Sequence, residues 1–521
     1  MTPSNQFQIS KKHGVVMVPD VPTIQNLFPD LPRLTLKGKQ TAAVPYAPPQ
    51  TFLLQRLGYD IPAPILTMYD WPGMRQPFDV QKKTCAMLTM NQRAYVLNDL
   101  GTGKTKTALW AFDYLKGLGL AHKLLVVAPL STLNFTWARE VFTTVPHLKC
   151  VVLHHYNKER RLKLLEEDAD IFVINHDGMK VMRDALDQRA DIDAIVIDEM
   201  SLYRNGTSDR TKNMRSFVKG KSWAWAMTGR PIPNSPTDVW AQASIITPDN
   251  VPKYFGRFRD EIMTRINQYK WAPKSDAVEK AFSVLQPSVR YSLDDVQELP
   301  QLIERTVDVE MGTQQEKTYK DVMRKCYAMV ENKEITAANA GVAMSKLLQI
   351  SSGWVYAKGQ GIVALDNDKR IEAVVDIIND TDKKVLAFVN FKHALAGLSK
   401  ALDAEDIEHA VVSGDTAAGK RSDIFHTFQN TDKYKVLLAH PACLAHGITL
   451  TAATTAIWVS PVLDLETFDQ ANARIRRVGQ KHKQQIIMIQ GTPVEKRVYS
   501  MLRSKQRIQE QLLHLFEEAS A

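Results

Sequence analysis

The residues best placed to do chemistry lie in the run Asn98-Asp99-Leu100-Gly101-Thr102-Gly103-Lys104-Thr105. Glycines at this spacing let backbone N–H groups close around phosphate oxygens, and a helix that starts there adds its partial positive charge. Lys104 would reach the outer phosphates and Thr105 would ligate Mg²⁺. Asn98, Leu100, Gly101, Thr102 and Gly103 would line the same site. Asn98 stands where the strict pattern has glycine, and asparagine visits left-handed backbone more readily than most residues. A second constellation is AIVIDEMS (194–201), where Asp198 and Glu199 close an apolar run. At the carboxyl end of a buried strand Asp198 would hold Mg²⁺, and Glu199 would orient and deprotonate a water. His154-His155 has no third ligand spaced for a metal site.

Groups this far apart in sequence need a scaffold that gathers them. Between Gln76 and about Thr247 short apolar runs alternate with helix-like stretches. The runs are AYVLN (94–98), KLLVVAP (123–129), VVLHH (151–155), DIFVIN (170–175), AIVID (194–198) and AWAMTG (224–229). Continuous apolar and β-branched runs suit strands covered on both faces, and intervening helices make βαβ crossovers. The alternation returns in KVLAFVNF (384–391), HAVVSG (409–414), KVLLAH (435–440), TAIWVS (455–460) and QQIIMIQ (484–490). The fold class expected is α/β, with two lobes that are each a mostly parallel sheet flanked by helices. Residues 1–73 are rich in proline and read as a small, partly irregular accessory region. Residues 74–250 form the first lobe, 251–350 a helical connector and protrusion, 351–493 the second lobe, and 494–521 one amphipathic helix.

Composition sets the outer bounds. The chain has 521 residues, 44% apolar and 24% charged, and a net charge of +9. That is the mix of a globular protein, with a mild bias toward a polyanionic partner. Four scattered cysteines make neither a disulfide framework nor a zinc site. No apolar run spans a bilayer and the first residues lack a signal peptide's apolar stretch, so a cytoplasmic, non-membrane protein is expected.

With further segments downstream, the two motifs resemble the superfamily 2 helicases, and among these the Swi/Snf-like (DEAD/DEAH-related) translocases. Residues 74–515 carry the resemblance. QPFDVQ (76–81) is similar to an adenine-reading glutamine motif, through Phe78 and Gln81. VVAPLSTLNFTW (126–137) resembles a nucleic-acid-contacting motif, and MTGRPIPNSPTDVW (227–240) a coupling motif. HGITLTAA (446–453), with Gly447, and FDQANARIRRVGQKH (468–482) resemble the last two motifs of the second lobe. Gln470, Arg474, Arg477, Gly479 and Gln480 keep the family spacing. Arg230 replaces the commoner threonine, and Met200-Ser201 replaces Ala-His. The layout resembles the short viral or prophage members.

The resemblance implies two RecA-like lobes with ATP and Mg²⁺ between them. Lys104, Glu199, Gln470, Arg474 and Arg477 would act in catalysis, the last two as cations for the transferring phosphoryl group. Closure and opening would drive movement along double-stranded or branched DNA, remodelling or branch-migrating it, and a monomer is expected. Replication or recombination proteins of a bacterial host are the implied partners. Backbone contacts would come from Ser131, Thr132, Asn134, Asn175 and His176 in the first lobe. Lys392, His393, Ser413, Gly414, Arg421 and Thr449 would supply them in the second. A strand-separating helicase and a DNA-binding scaffold with a vestigial ATP site are the alternatives.

Overall fold

The computed structural model describes residues 7–503 apart from 37, 233–234, 269–270, 297–299, 332–336, 358–360, 445–447 and 478. The chain divides into two compact units, the first ending at Val296. The heart of the first is a seven-stranded sheet. Its order is Ser288–Val289, Arg93–Val96, Trp223–Met227, Ile192–Asp198, Lys123–Ala128, Ile171–Asn175, Cys150–Val152. Every pairing in it is parallel. The interiors of the central strands, 124–128, 194–197 and 223–227, are apolar because helices cover both faces. Leu124, Val126, Ala194, Val196 and Trp225 pack in one cluster with Leu109, Phe112 and Trp137 from the helical layer. Parallel strands all end on one edge, so the loop after Val96, the acid Asp198 and Asn175 share that edge. One strand, Trp223–Met227, separates the strand leading into the phosphate loop from the strand that carries Asp198.

The second unit is built on a six-stranded sheet. Its order is Leu302–Asp308, Gln484–Gln490, Ala453–Trp458, Lys384–Phe388, Val436–Ala439, His409–Val412, again all parallel. Alternate residues of these strands feed two clusters, one with Leu386, Phe388 and Trp458 and the other with Val385, Ala387 and Ile457. Two parallel α/β lobes are therefore present, as the alternating pattern predicts.

The connector has helices, Phe255–Ile262 and Ala277–Val284 among them, and also strands that its helical reading lacks. Ser288–Val289 joins the edge of the first sheet and Leu302–Asp308 the edge of the second. An antiparallel hairpin pairs Met263–Arg265 with Trp271–Pro273. Leu302–Asp308 is mostly exposed and charged, as an edge strand can be, so it lacks the apolar run that marks the interior strands. Helices Thr313–Glu331 and Ala337–Ser351 follow in the second unit.

The first residues are more regular than their prolines suggest. Gln8–Ser10, Val15–Pro19, Lys39–Pro45 and Arg33–Leu36 form an antiparallel sheet. Val16, Val18, Ala42, Val44, Leu54 and Ile61 give it a core of its own. Pro19, Pro22, Pro45, Pro48 and Pro49 fall at strand and helix ends, where a missing N–H costs little. Residues 63–73 pack instead into the first lobe. Trp71 meets Trp110 edge-on at 5.8 Å, and the Trp110 indole donates to Pro72 O at 2.9 Å. At the other end residues 493–503 are helical. The rest of the expected terminal helix lies outside the described residues. No helix among these is long and apolar enough to cross a membrane.

Candidate nucleotide site

The strand Arg93–Val96 runs into the phosphate loop, and the helix Lys104–Gly117 opens directly behind it. Gly101 and Gly103 take φ of +86° and +85°, conformations that cost a side chain energy. At Gly103 a Cβ would also come within 2.3 Å of the Gln81 amide nitrogen. The loop is held from outside. Gln81 accepts from Phe78 N at 3.0 Å and donates to Thr102 O at 2.9 Å. Thr102 closes back on Asp99 O at 2.8 Å. Lys104 Nζ lies inside the loop, donating to Asn98 O at 2.8 Å and Asp99 O at 2.9 Å. A lysine, a glycine-rich loop and the first turn of a long helix converge here, a donor set that suits polyphosphate. Thr105 sits in that first turn.

Asn98 does not use the left-handed conformation expected of it. Its amide is buried and bridges two elements, donating to Thr84 Oγ1 at 3.2 Å and accepting from Tyr291 N at 2.9 Å. A glycine there would leave both partners without that bridge. Gln81 is likewise buried, so its visible work is to brace the phosphate loop, while Phe78 beside it is exposed.

Asp198 ends its strand under two donors. The Trp137 indole N–H reaches Oδ2 at 3.0 Å, and Glu199 N reaches Oδ1 at 3.0 Å. Glu199 takes φ +55°, unusual for a residue with a side chain and a mark of strain at functional positions. Burial raises the Asp198 carboxyl above the usual carboxylate range, against the pull of the Trp137 bond and Lys104. Burial lowers the Lys104 ammonium, and Glu199, Asp198 and Asp99 oppose that. These groups therefore feel one another's charge, as a site that balances a metal and phosphates must. Met200 and Ser201, which depart from the family pattern, are both buried beneath. Among the described residues no three or more His, Cys, Asp or Glu side chains cluster to hold a metal. A Mg²⁺ ion would need Thr105 and Asp198 together with the nucleotide's own oxygens.

The expected nucleic-acid residues of the first lobe separate into two groups. Ser131 and Asn134 are exposed and Asn175 is half-buried. Thr132 is buried, its hydroxyl spent on Pro129 O at 2.8 Å, so it closes a turn. His176 is buried and bonds the Tyr203 hydroxyl at 2.9 Å, which makes it a core residue. Both are buried in this structure rather than exposed: type and position were visible in sequence, burial was not.

In the second lobe Gln470 and Arg474 are buried at the end of the helix Leu465–Asn472. Arg474 donates to Gln470 O at 2.8 Å and to Ile448 O at 3.1 Å. Arg477 donates to the same Ile448 O at 3.0 Å and to Thr449 Oγ1 at 2.9 Å. Both guanidinium groups thus meet on one carbonyl beside exposed Thr449. Gly447 falls outside the described residues. Lys392 is exposed and paired with Asp415 at 2.7 Å. His393 is buried. Ser413 and Arg421 form one turn, with Arg421 donating to Thr416 O at 3.0 Å. Sequence reasoning missed Trp137 and Arg290, whose partners lie far along the chain.

Residues 82–353 match the SNF2-related domain, and residues 369–479 the helicase conserved C-terminal domain. The chain belongs to the SNF2-related family. By that membership it carries a helicase-like core. The SNF2-related match spans the phosphate loop, the acidic pair and Arg290; the second match spans Thr449, Gln470, Arg474 and Arg477. An uncharacterized ATP-dependent helicase of Mycoplasma genitalium is 25% identical, over 80% of this chain and 40% of that one. The chain therefore spans well under half the length of that relative. A putative protein of Acyrthosiphon pisum secondary endosymbiont phage 1 is 26% identical, over 74% of this chain and 85% of that one. The SWI2/SNF2 ATPase core of Sulfolobus solfataricus, solved with dsDNA, aligns at 21% identity and TM-score 0.42, over 84% of this chain and 93% of that one.

Proposed function

We propose that this SNF2-related chain is a DNA-stimulated ATPase that translocates on double-stranded DNA and remodels or branch-migrates DNA structures. The observation that carries the reading is the division of labour between the two units. Lys104, Thr105, Asp198 and Glu199 sit on one edge of the first sheet, whereas Arg474 and Arg477 belong to the second unit. In the proposed cycle Lys104 and the loop bind the phosphates, Thr105 and Asp198 hold Mg²⁺, and Glu199 activates water. Gln470 fixes the start of the segment that carries the two arginines. Those arginines complete the charge balance only when the lobes close, and closure then becomes the mechanical step.

The DNA assignment is supported by the +9 net charge and by exposed Ser131, Asn134 and Lys392, in the helical turns that follow two strands, and by exposed Thr449 in the segment before Ala453–Trp458. Ungated grip on the sugar–phosphate backbone needs only such contacts. The phage relative supports a place among the short viral members. Action as a monomer in the host cytoplasm, on replication or recombination intermediates, is part of the same proposal.

The test pairs two substrates. Release of a third strand from a triplex, with no unwinding of a forked duplex, is the expected pattern of a translocase. Unwinding of the fork would assign strand separation instead, and failure on both substrates with ATPase intact would leave a DNA-regulated ATPase without movement.

A further inference from the structure

Asp99 is the one acidic residue in the phosphate loop, residues 97–103. A carboxylate beside a polyphosphate is electrostatically costly, so its surroundings matter. Arg290 is buried and places Nη2 2.7 Å from Asp99 Oδ1. Its Nη1 donates to Gly229 O at 2.8 Å and also to Leu97 O. The chain around it runs along the loop like one more strand. Leu97 N donates to Val289 O and Asp99 N to Tyr291 O, both at 2.9 Å. Gly229 lies so near that a Cβ there would meet Leu100 at 3.5 Å and Asn98 O at 3.7 Å. One guanidinium thus joins the phosphate loop, its only carboxylate and the turn after Trp223–Met227.

We infer that Arg290 is a positioning residue of the nucleotide site, neutralising Asp99 so that the loop accepts a polyphosphate and fixing that loop to the turn at Gly229. The inference rests on the reading of Lys104 and its loop as an ATP site. Arg290 acts through Asp99 and the backbone. Its burial disfavours the free charge, and Asp99 offsets that cost, so each needs the other. When Lys104 turns toward phosphate and leaves Asn98 O and Asp99 O, the Thr102 hydroxyl still holds Asp99 O and Arg290 still holds the Asp99 carboxylate.

A mutant cycle on the full chain tests it, with a fluorescent ADP analogue plus Mg²⁺ as the probe, at low and high salt. Arg290→Gln is expected to weaken binding roughly tenfold, with a smaller loss at high salt. Adding Asp99→Asn to Arg290→Gln is expected to recover most of the lost affinity, because the unneutralised charge is gone. A double variant as weak as Arg290→Gln alone, or wild-type affinity in Arg290→Gln, overturns the inference. If Arg290→Gln does not fold while the double variant does, an unpaired Asp99 is again the cause and the inference stands. If neither folds, Arg290→Lys decides: binding within about threefold of wild type supports neutralisation, and a larger loss overturns it. Lys104→Ala separates the two levels. Wild-type binding that Lys104→Ala abolishes secures the ATP site whatever the cycle gives, whereas Lys104→Ala without effect removes site and inference together.

Discussion

Replacing Trp137 with phenylalanine is expected to weaken Mg²⁺-dependent turnover while the first lobe stays folded. Trp137 is fully buried and its indole N–H is one of two donors on Asp198, at 3.0 Å. A hydrogen bond to a charged group contributes about 1.5–3 kcal/mol, most of it felt when the acceptor stays buried. Phenylalanine fills most of the same space, so lost packing should cost on the order of 2 kcal/mol. Against a domain stability of about 5–15 kcal/mol, that leaves the fold intact. Asp198, however, loses the bond that opposes its desolvation, and its carboxyl rises further above the usual range. The Mg²⁺ concentration for half-maximal ATP turnover should rise about tenfold, the lower end of that bond's worth. The assay is turnover against Mg²⁺ at saturating ATP and duplex DNA, with a thermal melt of each variant. An unchanged Mg²⁺ requirement beside a lowered Tm would refute the reasoning and leave Trp137 a packing residue.

Other outcomes follow from the same geometry. Glu199→Gln should still bind ATP but turn over at least about a hundredfold more slowly, since the base that activates water is lost; single-turnover hydrolysis checks this. Arg477→Ala should spare nucleotide binding and remove most DNA-stimulated turnover, measured on one preparation by titration and steady-state assay. Glu495→Ala should destabilise the second lobe by about 3–5 kcal/mol, because it strands the buried Arg370 it pairs with at 2.9 Å; denaturant unfolding reports it. At alkaline pH burial pushes the Cys150 thiol up to about 12 and raises the Tyr95, Tyr114 and Tyr203 phenols. The folded chain therefore holds protons that the unfolded chain releases, and stability falls as pH rises past about 8.5 for the thiol and about 10 for the phenols. Tyrosinate absorbance should show these phenols ionising together with loss of circular dichroism, and their ionisation in an intact fold near pH 10 would contradict the burial.

The phosphate loop was legible in sequence because its chemistry is local. Two glycines, a lysine and the helix that follows fix the geometry within eight residues. The interior strands were legible for a related reason: a strand buried on both faces must be apolar throughout, as in residues 124–128 and 194–197. Edge strands escape that rule. Leu302–Asp308 carries Glu304 and Arg305 toward solvent, and Ser288–Val289 is too short to show any period. Burial of single polar side chains was equally hidden: Thr132 and His176 read as surface groups and are buried. The longest-range features were invisible. Nothing near Arg290 announces a partner 191 residues away, and Trp137 gives no hint of Asp198, 61 residues on.

The central claim is that ATP hydrolysis in this chain serves movement on duplex DNA. The measurement that tests it most directly is the steady-state ATP turnover of the full chain with and without a long duplex, beside Lys104→Ala as the blank. The account predicts slow turnover alone, a rise of about tenfold or more with duplex, and neither in the variant. Equal rates with and without DNA would contradict it.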